Sequence, residues 1–238
     1  MSEQVHCANR FLARLSDCDQ KALFPRLGIV DLTQGATLHD VGQRFKAAYF
    51  PHDGIISLVV GLSTGDMVEA GTVGRDGVAG AEAGFKGTQP INRAVVQIGG
   101  RASVVSADDL CALVDRSPGL RDRISLYQHF LLAQAQQCAA CNATHPVERR
   151  LARWLLRCRD VADRDDINLT QDFIAEMLGV RRTSVSAVAN SLSHAGLIEC
   201  RRGCLRLLDV DGLRASACEC YAAMNELSEA MLGFHPRP

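Results

Sequence analysis

The sequence predicts an α+β chain in three parts: a strand-rich N-terminal half, one long central helix, and a helical C-terminal part that includes a β-hairpin. Three observations predict it. Between Gly28 and Ser106, short Val/Ile/Leu runs alternate with glycine-bearing turns. From Leu120 to His145, seam residues recur at steps of three and four over about three and a half heptads. From Thr170 to Ile198, two short amphipathic segments flank Gly179, and the second opens on adjacent arginines.

Composition bounds the reading. A chain of 238 residues with 47% hydrophobic content supports one large domain or two modest ones. Formal net charge is −1, and residues 146–238 carry 13 Arg and no Lys against 13 Asp plus Glu. Bulk charge therefore does not point to nucleic acid, and any DNA-binding charge must lie on one face. No run of about 18 apolar residues is present, so no membrane span is expected. The start, "MSEQVHCANRFLARL", is mixed and polar, which argues against a secretory signal. The ten cysteines lack the spacing of a small secreted scaffold. They are expected to be mostly reduced thiols of a cytoplasmic protein.

The first segment, 9–27, is helix-like through Phe11, Leu12, Leu15 and Leu23, and Ser16 with Asp19 reads as a capping-box variant opening a second short helix. The runs "GIVDL", "AAYFP", "GIISLVVGL", "MVEAGTVG" and "RAVVQIGGRASVV" follow as strands of a barrel or sandwich, with 14 glycines in the window to turn them. A helical segment starts at Asp108 and is interrupted at Ser117-Pro118-Gly119. The long helix then carries Leu120, Ile124, Tyr127, Leu131, Gln134, Cys138, Cys141 and His145 on one seam. A narrow seam of this kind is expected to pack against a second copy of the chain, through Ile124, Tyr127, Leu131, Gln134, Cys138 and Cys141. Pro146 ends it, because proline disfavours helix in the residue before it and suits the first turn of the next helix. Three parts are thus expected: 1–119, 120–145 and 146–238.

In the last part, "VERRLARWLLRCRDVA" places Val147, Leu151, Trp154, Leu155 and Cys158 on one face, and "DRDDIN" is a polar connection. "LTQDFIAEML" is a short helix capped by Thr170, with Asp172 near the positive end of its dipole. Past the glycine turn, Val185, Val188 and Leu192 are expected to be buried, with Ile174, Leu178, Leu197 and Ile198 completing the core. Arg182, Thr183, Ser186 and Asn190 lie opposite. This is the helix-turn-helix pattern, whose second helix sets its first residues against base edges in the major groove. A guanidinium suits that place because its planar fork matches guanine O6 and N7. "LIECRRGCLRLLD" reads as a hairpin wing with Arg201 and Arg202 reaching phosphates. The expected DNA-facing set is Thr170, Gln171, Arg181, Arg182, Thr183, Ser186, Asn190, Arg201 and Arg202. The tail 215–232 reads as one helix with Ala217, Tyr221, Met224, Leu227 and Met231 on one face, packing back on the reader or on a dimer.

Taken together, residues of about 10–210 resemble the Crp/Fnr transcription-factor family. The resemblance rests on "AYFPHDGIISLVVGL" (48–62), "VGRDGVAG" (73–80), the seam helix, and "LTQDFIAEMLGVRRTSVSAVANSLSHAGLIE". It implies a jelly-roll-like β-roll of the cyclic-nucleotide-binding kind, a dimerisation helix and a winged helix-turn-helix. It also implies a homodimer on a palindromic operator in double-stranded DNA, and RNA polymerase as a partner. Arg182 falls where the family has its guanine-contacting arginine. Thr183 stands where many members have a base-contacting glutamate, and Ala187 where some have a second arginine, so a different operator is implied.

The effector positions depart further. Cyclic-AMP binders of the family carry a Gly-Glu pair that accepts from the ribose 2′-hydroxyl, and an Arg-Ser-Ala run that grips the cyclic phosphate. Here the candidates read Gly74-Arg75 and Asn92-Arg93-Ala94. An arginine cannot accept a hydrogen bond, so the usual cyclic-AMP pose is expected to be lost. A regulator gated by another anionic nucleotide such as cyclic di-GMP, or a cysteine-based redox or metal switch, is the alternative.

No nucleophile–base pair at recognisable spacing and no phosphate-cradling glycine loop before a helix is present, so no catalytic residue is named and an enzyme is not expected. No metal or cofactor is expected either. Cys138-x-x-Cys141, with His145 one turn on, reads as seam packing rather than as a disulfide or metal site. Only Cys7 and Cys18 lie near the N-terminus, too few for an iron–sulfur cluster. Cys200, Cys204, Cys218 and Cys220 lack the C-x-x-C spacing of zinc sites. His52, after Pro51, reads as a surface-loop residue rather than a haem ligand.

Overall fold

The computed structural model describes residues 3–201 and 203–237. The chain divides into two compact units, Met1–Leu58 with Thr72–Leu132, and Val59–Gly71 with Ala133–Pro238.

The first unit opens on a 3-10 turn (Glu3–Ala8) and two short helices, α1 (Arg10–Ala13) and α2 (Asp17–Leu23). Ser16 caps α2 as expected: its Oγ accepts from Asp19 N at 3.2 Å and donates to the Asp19 carboxylate at 2.6 Å. Asn9 does more than cap α1. Fully buried, it donates to the carbonyls of Pro51 and Gly77, both at 2.9 Å, and accepts from Leu12 N. A buried amide is tolerable only with its bonds made.

Seven strands follow: β1 (Gly28–Leu32), β2 (Thr37–His39), β3 (Ala47–Pro51), β4 (Ile55–Gly61), β5 (Met67–Val73), β6 (Arg93–Ile98) and β7 (Gly100–Ser106). They form two sheets, β1-β7-β3 and β2-β6-β4-β5. The pairs β1–β7, β3–β7 and β2–β6 are antiparallel, with Val30 opposite Ala102 and Phe50 opposite Ser103. Six of the strands coincide with the five runs read in the sequence, the last run splitting at Gly99 into β6 and β7. The three-residue β2 was not expected, because it is too short to show an alternation. Leu32, Ile56, Leu58, Val73, Ala79, Ala94, Val96 and Ala102 form one buried core.

Helix α3 (Ala107–Arg116) is capped by Ser106, and α4 (Pro118–Thr144) begins after it. The seam of α4 does not face outward. Leu120, Ile124 and Tyr127 are each at most 2% exposed, and Gln134, Cys138 and Cys141 are also buried inside the single chain. Leu131 packs on the β core. Tyr127 lies edge-on to Phe11 at 5.6 Å and occupies the space that a side chain at Gly77 would need. The expectation that these six residues face a second copy is therefore corrected. The heptad rhythm was real, but it records burial against the chain's own apolar side chains. The opposite stripe, Asp122, Leu126, His129, Gln136, Ala140 and Ala143, is exposed.

His52 is corrected as well. It is 7% exposed, and its Nε2 lies 2.8 Å from Ser103 Oγ, which also meets His6 Nδ1 at 2.7 Å. Strand β7 brings this hydroxyl between two imidazoles that are distant in sequence.

In the second unit, α5 (Val147–Ala162) starts at the N-cap Pro146 and buries Leu151, Trp154, Leu155 and Cys158. The two-residue β8 (Asp166–Ile167) lies in the stretch read as a polar connection and joins a three-stranded sheet. Helices α6 (Gln171–Leu178) and α7 (Arg182–His194) follow, then β9 (Ile198–Arg201) and β10 (Cys204–Leu207). The tail is two helices rather than one, α8 (Val210–Ser216) and α9 (Cys220–Leu232), separated at Ala217–Glu219. Tyr221 donates to Asp160 of α5 at 2.7 Å, so α9 packs back on the reader's own scaffold. Among the described residues, no helix is long and apolar enough to cross a membrane.

Candidate nucleic-acid interface

The reader is set by α5. Trp154 donates its indole N–H to Glu69 at 3.0 Å, and the buried Arg150 guanidinium donates to the Leu178 carbonyl. That carbonyl sits at the C-terminal end of α6, where an unpaired acceptor and the negative end of the helix dipole both favour a cation. The sequence offered no signal for this role, since Arg150 is one of five arginines on α5.

Helix α6 begins where Thr170 accepts from Phe173 N at 3.3 Å, an ordinary N-cap. It ends at Gly179, whose φ of +61° is the left-handed turn that glycine adopts without a Cβ penalty. This turn reverses the chain into α7. Val185, Ala189 and Leu192 are the buried residues of α7, and Ile174, Leu178 and Ile198 close the core beside them. Val188 and Leu197 are only half-buried, and Ala189 takes the place expected for Val188.

The outer face carries the expected side chains. Arg181, Arg182, Thr183 and Asn190 are exposed, while Ser186 is half-buried and donates to Gln171 Oε1 at 2.6 Å. That bond fixes one polar contact between the two reader helices. Arg182 stands at the first position of α7, its Nε 3.3 Å from Asp172 Oδ1, with both side chains 65% exposed. On the hairpin, Arg201 pairs with Glu199 at 2.9 Å, and its guanidinium is held above its ordinary pKa by that bond. Arg206 faces Asp166 at 3.7 Å. Arg181 has no carboxylate partner among the described residues. Arg202 lies outside the described residues. Arg182, Arg201 and Arg206 are thus held in exposed ion pairs, with Asp172, Glu199 and Asp166 respectively. Each is worth about 0–1 kcal/mol and is readily exchanged for a phosphate or base contact.

Hairpin β9–β10 is antiparallel, Leu205 facing Cys200, and β8 adds a third strand through Leu205 opposite Ile167. The wing is therefore anchored on the chain preceding α6.

Each candidate effector residue of the first unit has contacts within the chain. Gly74 is buried, and its carbonyl accepts from Gly77 N at 3.0 Å. The carbonyl of Arg75 accepts from Arg10 N. Ala94 is fully buried in the β core. Asn92 lies 3.4 Å from His39 Nε2, and Arg93 donates to Asp40 at 2.7 Å. Arg93 holds the Asp40 carboxyl below the usual carboxylate range. Antiparallel pairing of β2 and β6 brings His39-Asp40 beside Asn92-Arg93, so the arginine's nearest anion is within the chain.

Cys141, read in the sequence as a seam-packing residue, faces Cys218 at 3.5 Å, and the Cys200 thiol donates to the Ala189 carbonyl at 3.9 Å. Among the described residues, Cys141, His145, Cys218 and Cys220 form a group that could hold a metal ion.

Residues 149–216 match the Crp-like helix-turn-helix domain family. No curated protein matches the chain. Solved structures do. FixK2 from Bradyrhizobium japonicum is 15% identical with a TM-score of 0.68, covering 81% of this chain and 98% of that one. A Crp/Fnr-family transcriptional regulator from Thermus thermophilus is 24% identical at 0.64, with coverage of 80% and 98%. The c-di-GMP responsive regulator CLP from Xanthomonas campestris is 15% identical at 0.64, with coverage of 81% and 99%. The chain thus carries a Crp-like helix-turn-helix domain and has the fold of the Crp/Fnr transcriptional regulators.

Proposed function

We propose that this protein is a cytoplasmic, homodimeric, sequence-specific DNA-binding transcriptional regulator. The observation that carries the reading is the Crp-like helix-turn-helix at 149–216, with Arg182 exposed on the first turn of α7. Arg182 would read a guanine, and Arg181, Thr183, Ser186 and Asn190 would contact flanking bases or phosphates. Thr170, Gln171, Arg201 and Arg202 would hold the backbone. A second copy would pack on the outward stripe of α4, where Leu126 is 37% exposed and Leu132 54%. A two-fold axis then places two reader helices about one turn of duplex apart, on a palindrome whose half-site centres are about 10 bp apart. RNA polymerase is the partner through which such binding would act.

Cyclic AMP in its usual pose is not the effector on this reading. Arg75 occupies the position of the accepting glutamate, and Arg93 is bound to Asp40. CLP is described as c-di-GMP responsive. On this chain an anionic nucleotide of that kind would have to draw Arg93 from Asp40. Calorimetric titration with cyclic AMP, cyclic GMP and cyclic di-GMP tests this, and heat from cyclic AMP binding would overturn it.

The function itself is tested by selecting binding sites from a random duplex pool and sedimenting the complex. Enrichment of a palindrome bound by two chains is expected. Recovery of no sequence preference, together with a monomer in sedimentation, would overturn the proposal.

A further inference from the structure

We infer that Cys141, His145, Cys218 and Cys220 form a closed four-ligand site for a zinc ion. The inference concerns the second unit alone and does not depend on which DNA sequence the protein reads.

Two parts of the chain build the site. Cys141 and His145 are four residues apart at the end of α4, so they project from one helical face. Cys218 lies in the break between α8 and α9, and Cys220, on the other side of Glu219, opens α9. Their four ligand atoms all lie within 4.8 Å of one another. Cys141 Sγ is 3.5 Å from Cys218 Sγ, and Cys220 Sγ is 3.6 Å from His145 Nδ1. A tetrahedral ion with Zn–S near 2.3 Å and Zn–N near 2.05 Å requires S···S edges of about 3.8 Å and S···N edges of about 3.6 Å. The two observed edges are close to those values before any ion is added.

The surroundings suit a metal better than a chance packing of thiols. His145 directs Nε2 to Glu219 Oε1 at 3.0 Å, so the ring turns its Nδ1, which also lies 3.4 Å from Thr144 Oγ1, toward Cys220 Sγ, where the ion would sit. A carboxylate holding the outer nitrogen of a ligating histidine is the usual orienting contact at zinc sites. Gln137 donates to Cys220 Sγ at 3.0 Å, which fixes the position of that sulfur. The three cysteines are at most 2% exposed and form a small buried cluster of their own. The His145 side chain is 15% exposed and gives the ion a way in.

Three thiolates and an imidazole select a soft or borderline cation, whereas magnesium and calcium demand oxygen. Four protein ligands leave no open position, which marks a structural rather than a catalytic site. On binding, three S–Zn bonds and one N–Zn bond form, the three thiol protons pass to solvent, and no electron is transferred. The helix-turn-helix and wing lie between the two ligand pairs in sequence. The ion would therefore staple together the two ends of the reading segment.

The test uses the full chain purified under reductant. Elemental analysis should find about one zinc per chain, and the stripped protein refilled with cobalt(II) should show the visible bands of a tetrahedral thiolate site. Cys218→Ser with Cys220→Ser should lose both signals, and Cys200→Ser with Cys204→Ser should keep them. Glu219→Gln should weaken zinc binding about 10- to 100-fold against a competing chelator. Wild-type protein that takes up neither metal would overturn the proposal. So would full cobalt bands in the Cys218/Cys220 variant, loss of the bands in the Cys200/Cys204 variant, or peptide mapping that finds Cys141 and Cys218 joined as a disulfide. Should a variant misfold, the wild-type cobalt spectrum decides by itself.

Discussion

Replacing Arg182 by alanine isolates the chemistry on which DNA reading depends. In the free protein the guanidinium pairs with Asp172 at 3.3 Å, and both side chains are 65% exposed. Such a pair contributes about 0–1 kcal/mol, so folding stability should barely change. A bidentate contact to guanine, by contrast, is worth about 1–3 kcal/mol of discrimination. One half-site should therefore lose about 5- to 150-fold preference for guanine, and a two-fold symmetric complex about 2–6 kcal/mol in all if the halves add. Because a base contact releases no counterion, the salt dependence of binding should stay unchanged. Fluorescence anisotropy with the selected operator and guanine-substituted half-sites, at one fixed salt concentration and then across a salt series, measures both quantities. Asp172→Asn is the complement: it frees Arg182 and should tighten binding by less than about fivefold. If Arg182→Ala retains full discrimination against the substituted half-sites, then Arg182 does not read the base and the assignment of α7 as reader fails.

Other expectations follow from particular contacts. Arg201→Ala should weaken operator and random DNA alike and lower the salt slope by about one per half-site, the signature of a phosphate contact; a change in sequence preference would contradict it. Gly77→Ala would drive a Cβ into the hydroxyl and ring of Tyr127. Thermal unfolding should show a loss of about 1–3 kcal/mol or more, partly recovered when Tyr127→Ala is added, whereas simple additivity would dispose of this account. Burial holds both His6 and His52 below their ordinary pKa, with Asp53 opposing the effect at His52 and Arg101 reinforcing it. The folded state thus binds these protons less readily than the unfolded chain. Stability should be intact above about pH 6.5 and decline as pH falls from there toward the folded-state values. Denaturant midpoints across that interval, compared with those of a His6→Gln/His52→Gln variant, should show the slope shrink; an identical slope would exclude these imidazoles as its source.

Periodicity and turn chemistry carried most of the architecture, since both are local. Glycine-punctuated apolar runs located six of the strands, the Ser16 cap located α2, and Thr170 with Gly179 located the turn between reader helices. Local rules cannot say which partner an apolar stripe meets. The seam of α4 has the same spacing whether it faces a second chain or its own core, and Tyr127 filling the space above Gly77 shows that it faces inward. Nor can they find a polar group whose partner is distant in sequence. His52 reads as a loop residue until β7 delivers Ser103 to it, and Arg150 is one arginine among several until α6 ends against it.

The cysteines show the division most clearly. By itself the sequence determined most of the elements, their order, and that adjacent arginines open the helix after the Gly179 turn, because backbone preference and residue spacing act over a few positions. Only the folded chain decided that Cys141 and His145 meet Cys218 and Cys220 rather than Cys138, and that Arg93 meets Asp40. Those encounters depend on where separate helices and strands come to rest, and no spacing within one element encodes the distance to another.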